Sequence, residues 1–369
     1  MQFIGIDLHT NKFTCSYRDC SKPDSKKGNR METFTLDHYG VSKFIKTLTP
    51  ESYVLVEATI TTFSFVRLIK PYAKEVIVAN TYELKQISLA RTNTDKIDAG
   101  ILSRIMKMQA LSGEQAVSPV VVPPKAIQEL RALFTTYRLI GKETTQIKNR
   151  IHSLLKEALY GFTQEEIFDL KSREKIRNIE RGTSLSFQIN MLLDTLNYLE
   201  SKKCSLQEQI KIQAAPYMKE IDILTSMKGI SVFTAIAIIA DIIEVNRFKN
   251  AKNFTSYLRS APKVSNSNTT TSIKGTNKKG RKAAAALVTQ SLNHVLDASP
   301  KLNRWYTELT RYKKPGLVRT GLRRRVFAEM YQMLKKGEYH YGREAKKHEV
   351  KMRQYSNFLK KSKILIETA

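Results

Sequence analysis

The sequence predicts an α/β domain at the amino terminus, a helical middle region and a mainly helical carboxy-terminal domain. Three observations indicate this order. Short apolar runs alternate with helical spacing over roughly the first third of the chain. Two longer stretches then repeat apolar residues at intervals of three and four. Finally, the segment from Val245 to Leu296 contains no Asp or Glu.

The first domain, residues 1–120, is predicted from apolar runs bounded by turn residues. The runs are Phe3–Asp7, Phe13–Tyr17, Met31–Leu36, Tyr53–Glu57 and Glu75–Asn80. Val41–Leu48 has helical spacing between them, and strands that alternate with helices favour a mixed central sheet. The segment Val117–Pro124 carries three prolines and is the predicted linker.

The middle region, residues 121–215, is predicted as a helical coiled-coil arm. Apolar residues recur at near-heptad spacing on both sides of Gly161–Gly182, which fits two antiparallel helices. Neither apolar seam is unbroken, since Lys203 replaces one seam residue. Two helices of a globular bundle therefore remain the alternative interpretation.

The third domain, residues 216–345, is followed by a predicted basic tail, 346–369. Leu224–Ile239 follows the helix-hairpin-helix pattern, in which a tight glycine turn offers backbone N–H groups to a phosphate, although Ser231 replaces the second glycine. A purely structural hairpin is the alternative. The acid-free segment beyond it is rich in Lys and Arg and favours contact with phosphate.

The charge of the whole chain indicates a polyanionic partner. The 369 residues include 62 Lys and Arg against 34 Asp and Glu, a formal net charge of +28 at pH 7. Cations that neutralise phosphates release condensed counterions, so nucleic acid is favoured over an anionic membrane surface. Only three cysteines are present, without CxxC spacing, which disfavours a disulfide framework or a zinc site.

No membrane partner is expected. Asp7 interrupts the first apolar run almost at once, unlike the long apolar region of a signal peptide. The most apolar stretch, Ile230–Ile243, is too short and too polar to span a bilayer. We therefore expect a soluble protein of a reducing compartment, the cytoplasm.

Four acids form the candidate catalytic constellation. Asp7 and Glu57 each end an apolar strand, and Asp95 and Asp98 share one face of a predicted helix. Converging carboxylates repel one another, and a divalent cation, Mg²⁺ or Mn²⁺, resolves the conflict. Two such ions can activate an attacking oxygen and stabilise a leaving one in phosphodiester chemistry.

Each acid also has an ordinary structural explanation. Glu57 alone fits a capping or salt-bridged residue, and Asp95 with Asp98 fits acids favoured by a helix N-terminus. His9, beside Asp7, is a candidate residue to support the metal ligands, but a partly exposed surface residue is the favoured interpretation. Gly5–Thr10 is similar to the phosphate hairpin of actin-like ATPases and sugar kinases, but no glycine-rich nucleotide loop follows it.

Several motifs in order along residues 1–345 carry a family resemblance. They are the strand-end Asp7, the segment Val56–Thr59, the segment Arg91–Ala99, the helix-hairpin-helix pattern, Arg247–Phe248, Tyr257–Leu258, Pro262 with a following serine, the turn at Lys274–Asn277, and Leu334–Tyr339. With them the chain resembles the DEDD transposases of bacterial insertion sequences, which are related to Piv-type DNA invertases and described as bridge-RNA-guided recombinases.

The resemblance implies an RNase H-like (RuvC-like) amino-terminal fold whose metal-binding acids are Asp7, Glu57, Asp95 and Asp98. It implies a nucleophilic serine five residues after Pro262, which is Ser267, with Ser265 and Ser272 as alternatives. Asn268 stands where the family usually has glycine, and Arg259 where it commonly has glycine. It further implies a composite site between subunits, a dimer or tetramer, and a bacterial, nucleoid-associated location.

The chemistry of such a serine suits its basic surroundings. An unactivated hydroxyl is a poor nucleophile, and attack on phosphorus builds negative charge that nearby cations stabilise. The predicted nucleic-acid-binding residues are Lys228, Arg247, Lys263, Lys274, Lys278, Lys279, Arg281 and Lys282.

The predicted function is a transposase or recombinase that cuts and rejoins the element's ends and its double-stranded target DNA, guided by a noncoding RNA. Two other functions stay open. One is a metal-dependent RuvC-like nuclease that works through water without a covalent intermediate. The other is a nucleic-acid-binding protein that has lost catalysis.

Overall fold

The computed structural model describes residues 1–20, 30–81, 84, 94–178, 182–267, 270–276 and 280–367. For residues 263–267 and 270–274 the description covers the backbone alone. The chain forms two compact units, Met1–Pro123 and Pro124–Ala369. Their boundary falls inside the proline-rich segment Val117–Pro124.

Unit 1 is built on a five-stranded mixed sheet, as the sequence predicts. The strands are β1 (Gln2–Leu8), β2 (Lys12–Asp19), β3 (Arg30–Thr35), β4 (Ser52–Glu57) and β5 (Glu75–Ala79). Their order is β3-β2-β1-β4-β5. The first three strands form an antiparallel meander, whereas β4 runs parallel to both β1 and β5. This mixed α/β sheet is compatible with an RNase H-like domain.

Helices cover both faces of the sheet. On one face, α1 (His38–Ile45) and α2 (Thr62–Ile69) pack on an apolar core with Ile4 and Ile6 of β1. On the other face lies α3 (Asp95–Ser112), whose apolar residues share a second core with Phe3. The sheet is thus the middle layer, and alternate residues of each strand face opposite helices.

Gly5 sets how closely α3 approaches the sheet. A Cβ atom at this position would lie 2.2 Å from the Ala99 carbonyl oxygen and 2.2 Å from the Ser103 nitrogen. Only glycine leaves space for this backbone-to-backbone approach. Since Gly5 and Asp7 are two residues apart on β1, both face α3.

Unit 2 begins with α4 (Lys125–Glu157), which packs along α7 (Thr183–Gln213). Gln207 on α7 donates a 2.7 Å hydrogen bond to the Tyr137 hydroxyl, and Lys148 lies 2.8 Å from Glu200. Later residues of α4 therefore meet earlier residues of α7, so the two helices run antiparallel. Between them in the chain are α5 (Gln164–Phe168) and α6 (Leu170–Asn178).

The rest of unit 2 is mainly helical around one apolar core. Its elements are α8 (Met218–Thr225), α9 (Val232–Ile242), α10 (Ala251–Tyr257), the hairpin β6 (Pro262–Ser267) and β7 (Thr270–Thr276), α11 (Ala283–Ala298), α12 (Pro300–Thr310), α13 (Pro315–Lys336) and α14 (Ala345–Glu367). Short 3₁₀ turns occur at Lys70–Tyr72 and Ala215–Tyr217. The expected tail, 346–369, consists largely of α14, which buries Tyr355 and His348. Across the described ranges, no helix is long and apolar enough to cross a membrane.

Candidate active site

The strand ends bring Asp7 and Glu57 to the same level of the sheet. β1 and β4 are parallel with Ile6 opposite Val56, so the next residues along the two strands are Asp7 and Glu57. Adjacent strands lie roughly 4.8 Å apart, and residues in register share a face. Both acids therefore occupy the face that α3 covers.

Helix α3 brings the other two acids to this edge. Thr94 is its N-cap, and the Thr94 hydroxyl accepts a hydrogen bond from the Ile97 nitrogen. Asp95 and Asp98 both lie in the first turn, where the positive end of the helix dipole stabilises negative charge. We call Asp7, Glu57, Asp95 and Asp98 the acid cluster.

Two nitrogen-bearing side chains from the β1–β2 hairpin, His9 and Lys12, contact the acid cluster. The His9 Nε2 atom is 3.0 Å from an oxygen of Asp7 and 3.1 Å from an oxygen of Asp95. The Lys12 Nζ atom is 2.8 Å from the second oxygen of Asp95. The backbone nitrogen of His9 closes the turn by donating a 3.0 Å hydrogen bond to the Lys12 carbonyl oxygen. The hairpin thus holds both side chains over the strand-end acid.

The pKa values of Asp7 and Asp95 are shifted in opposite directions. Asp7 is only 6% exposed, and burial raises the pKa of its carboxyl, which the nearby charge of Asp98 raises further while His9 lowers it. The hydrogen bond from Lys12 lowers the pKa of Asp95. The influence of Asp98 on Asp7 places the two acids within electrostatic range of each other.

The predicted nucleophile lies in unit 2, on a β-hairpin. Ser267 is the last residue of β6 and pairs across the turn with Thr270, while Ser265 pairs with Ser272. Asn268 lies outside the described residues, as do Lys278 and Lys279. Lys263 and Lys274 belong to the segment of which the backbone alone is described.

Four other predicted phosphate-binding residues of unit 2 have described side chains, and three are already engaged within the protein. Lys228 forms an ion pair with Glu344. The Arg247 guanidinium stacks 4.3 Å from the centroid of the Tyr257 ring and 4.5 Å from that of Phe248. Arg281 pairs with Asp241 at 3.2 Å. Lys282, the N-cap of α11, is exposed.

Comparison with known proteins places the chain in a family. A model of DEDD transposases of the IS110 type, described as "Transposase", matches residues 4–159. A second model, "Transposase IS116/IS110/IS902 family", matches residues 221–307. The chain belongs to the DEDD insertion-sequence transposases. It is 21% identical over 263 residues to the transposase for insertion sequence element IS1533 of Leptospira borgpetersenii, an alignment that covers 68% of this chain and 71% of that protein.

Membership in this family makes the chain a DNA transposase, an enzyme that binds DNA, and it points to the use of divalent metal. The structure of the transposase fits such an ion. Asp7, His9 and Asp95 each offer one ligand atom, and these atoms lie within 4.8 Å of one another. Carboxylate oxygens are ligands that Mg²⁺ and Mn²⁺ prefer, and imidazole suits transition metals.

Sequence reasoning missed Lys12 of the transposase site, and it missed the contact of His9 with Asp95. His9 is partly exposed, as expected, and its ring nitrogen also contacts two acids of the cluster. The available signal was position: both residues flank the short turn that follows a strand ending in a carboxylate. A hairpin folds such residues back over the strand end.

Proposed function

We propose that the transposase cuts and rejoins DNA strands through a covalent phosphoserine intermediate on Ser267, with a noncoding RNA as guide. The observation that supports the catalytic part is the group of ligand atoms on Asp7, His9 and Asp95, which lie within 4.8 Å of one another. Glu57 stands at the end of the adjacent strand. Asp7 is buried beside other acids. A buried carboxylate near like charges is costly to a fold, and such costs recur at functional sites.

Mg²⁺ or Mn²⁺ is the proposed cofactor, held by Asp7, Glu57, Asp95 and Asp98. When bound, such ions activate an attacking oxygen and stabilise a leaving one. His9 orients the Asp7 and Asp95 carboxylates toward each other through its contacts with both. Lys12 neutralises Asp95 while no metal is bound.

Ser267 is the proposed nucleophile because of its place in the chain. The end of a hairpin strand is a position from which a side chain can approach a large ligand, and the surrounding segment has no acid to repel a phosphate. As the Ser267 oxygen bonds to phosphorus, the bond from phosphorus to the leaving strand breaks, and the serine proton ends on the leaving oxygen, which becomes a strand hydroxyl. A strand hydroxyl reverses both changes when it rejoins the DNA, so no external energy source is needed.

The helical regions of unit 2 supply the proposed binding surfaces. The α8–α9 pair with its turn at Gly229 fits a helix-hairpin-helix, since Gly229 has φ +91° and a Cβ atom there would lie 2.8 Å from the Val295 nitrogen. We propose that the antiparallel pair α4 and α7 forms a coiled-coil arm that joins subunits into a dimer or tetramer. The net charge of +28 supports RNA as well as DNA as partner.

The nucleophile is tested by trapping the intermediate on a nicked DNA substrate and mapping the adduct by mass spectrometry. Wild type is expected to carry DNA on Ser267, and Ser267→Ala is expected to bind DNA normally but form no adduct. Ser265→Ala and Ser272→Ala are the matched controls and keep the adduct. Cleavage without any protein-linked DNA would favour the water-dependent nuclease instead.

The guide is tested separately. The transposase is purified from cells that carry its element, and the copurifying RNA is sequenced. We expect RNA from the noncoding flank of the element. Recovery of only unrelated cellular RNA would contradict a guided mechanism while leaving the serine chemistry intact.

A further inference from the structure

A cavity in unit 2 gathers an unusual number of cationic side chains. Its volume is about 240 Å³. Five cations and one carboxylate line it: Arg131, Arg138, Arg259, Arg281, Lys282 and Asp241. We call it the arginine cavity. Of these cations, only Arg281 and Lys282 were among the residues predicted to bind nucleic acid.

Asp241 does not neutralise all the cations of the cavity, because its carboxylate is already bonded to other groups of the protein. Its side chain is 1% exposed. One carboxylate oxygen accepts a 2.8 Å hydrogen bond from the Ala284 nitrogen at the start of α11, and the other lies 3.2 Å from Arg281. One acid paired with one arginine leaves the remaining cations without a carboxylate among the cavity's lining residues.

Arg131 carries one of these positive charges deep in the cavity wall. It is 8% exposed, and it donates to the carbonyl oxygens of Ala240 at 2.7 Å and Asp241 at 2.9 Å. Burial is the main cause that lowers the pKa of its guanidinium; Arg281 and Arg247 lower it further, whereas Tyr257 and Asp241 act in the opposite direction. The cavity therefore has a positive potential that an anion would relieve.

Arg259 enters the cavity at a cost in backbone conformation. Its φ is +54°, a region that residues with a Cβ atom rarely occupy. The backbone is held there by Arg323, which donates to the Arg259 carbonyl at 2.9 Å. The Arg259 Nε atom in turn donates to the Gly280 carbonyl at 2.8 Å. Strained residues retained at such positions recur at ligand sites.

The surroundings extend this positive region. Helix α11 starts at Ala283 on the cavity rim, and the positive end of its dipole adds to the field. An adjoining cavity of about 330 Å³ shares Phe134, Arg138 and Ala283 with the first and adds Lys203. Arg131 and Arg138 are seven residues apart on α4, about 10 Å along the helix. A strand could therefore contact both.

We propose that the arginine cavity binds a backbone phosphodiester of a nucleic-acid strand, an inference that rests on the proposed function. Arginine forms paired hydrogen bonds with phosphate oxygens. The volume is below the roughly 300–1,000 Å³ of sites that enclose drug-sized ligands, so it fits a phosphate with its waters rather than a whole nucleotide. The strand is DNA or RNA, which share this group.

The test measures binding of the full-length chain to labelled single-stranded RNA, single-stranded DNA and duplex DNA of one sequence, between about 50 and 200 mM salt. Arg138→Gln and Arg259→Gly each remove one cavity cation. Arg353→Gln, which removes an exposed helical arginine of α14, is the matched control. Because Arg259→Gly also relieves the positive φ, its melting temperature should stay within about 4 °C of wild type.

Each cavity variant is expected to weaken binding of at least one probe about tenfold. For that probe the slope of log affinity against log salt should fall by about 0.7 for a single strand or 0.9 for a duplex. The probe that responds identifies the strand. Wild-type slopes in both variants on all three probes would overturn the proposal.

Failure of the proposed function is distinguishable from failure of this inference. The salt slopes do not depend on catalysis. A wild-type chain that forms no Ser267 adduct, while Arg138→Gln and Arg259→Gly still reduce the slope, would overturn serine chemistry and confirm the cavity. A normal Ser267 adduct together with unchanged salt slopes would support serine chemistry and overturn the proposal for the cavity.

Discussion

The acid cluster and the arginine cavity both gather like charges, yet the protein compensates them differently. In the acid cluster the partners are His9 and Lys12, whose side chains are 44% and 55% exposed. In the arginine cavity the compensating group is Asp241, 1% exposed and bonded to the backbone of α11. The partners of the acids can move into water, whereas the partner of the arginines cannot.

This difference indicates which charges each site reserves for a ligand. Exposed partners can leave when a cation arrives, because surface ion pairs contribute little to stability. A buried carboxylate cannot leave, so Asp241 stays with the cavity and the surplus arginines face any incoming anion. If the proposed metal and phosphate bind, the acid cluster exchanges its compensating charges, whereas the arginine cavity gains one.

The largest effect, on the rate of strand exchange, should come from removing a carboxylate of the acid cluster. Asp7→Asn keeps the side-chain shape but loses the buried carboxylate. We expect the rate of strand exchange in Mg²⁺ to fall about a thousandfold or more, as when a group that stabilises transition-state charge is removed. Asp37→Asn is the matched control, because Asn also caps α1 in place of Asp37. A wild-type rate for Asp7→Asn would show that the acid cluster is structural.

The next largest effect tests the fixed partner of the arginine cavity. Asp241→Ala removes the hydrogen bond to Ala284 and leaves Arg281 unpaired. We expect the free energy of unfolding to fall by roughly 2–4 kcal/mol, less than for a fully buried pair because Arg281 is partly exposed. Urea unfolding measures it. The exposed Glu244→Ala nearby should change little, and equal unfolding midpoints for both variants would contradict a fixed partner.

A smaller effect tests whether the partners of the acid cluster exchange. Lys12→Met removes the cation that competes with metal for Asp95. We expect Mn²⁺ to bind about twofold to fivefold more tightly, the range of an exposed ion pair. A calorimetric titration with Mn²⁺ measures this, and Lys43→Met on α1 is the control. Weaker binding in Lys12→Met would mean that Lys12 positions Asp95 instead of competing.

The smallest effect concerns an exposed pair outside both sites. Lys228 and Lys347 lower the pKa of Glu344 to about 2. A lowered pKa contributes stability that is present above the ordinary value of 4.5 and is lost as pH falls toward about 2. Between pH 5 and pH 3, the melting temperature of Glu344→Gln should therefore fall by less than that of the wild type. Parallel curves for the two proteins would contradict the pairing.

Local patterns in the sequence predicted much of unit 1. Asp7 and Glu57 end apolar strands, and a strand end followed by a turn is visible in a few residues. The role of His9 was not predictable in this way, since it depends on how the hairpin closes over Asp95 of a distant helix. Side-chain contacts across a turn depend on the folded geometry of the hairpin, which the spacing of apolar residues in the sequence does not predict.

The arginine cavity could not have been predicted from its sequence neighbourhoods. Arg131 lies between the core residues Leu130 and Phe134, so the apolar pattern marks it only as a polar position. Its carbonyl partners belong to Ala240 and Asp241, more than a hundred residues away. Within the sequence, Asp241 is simply a break in an apolar run. Both roles arise from packing between helices.

The boundary between the units has a practical consequence for work on isolated fragments. The family model of the amino-terminal region extends to residue 159, but the structure divides the chain after Pro123. A fragment ending at 159 would carry α4 with Ile127, Leu130 and Phe134 stripped of the core they share with α8 and α9. Exposed apolar stripes promote aggregation. An amino-terminal fragment that ends at Pro123 keeps its sheet and both its cores and avoids this surface.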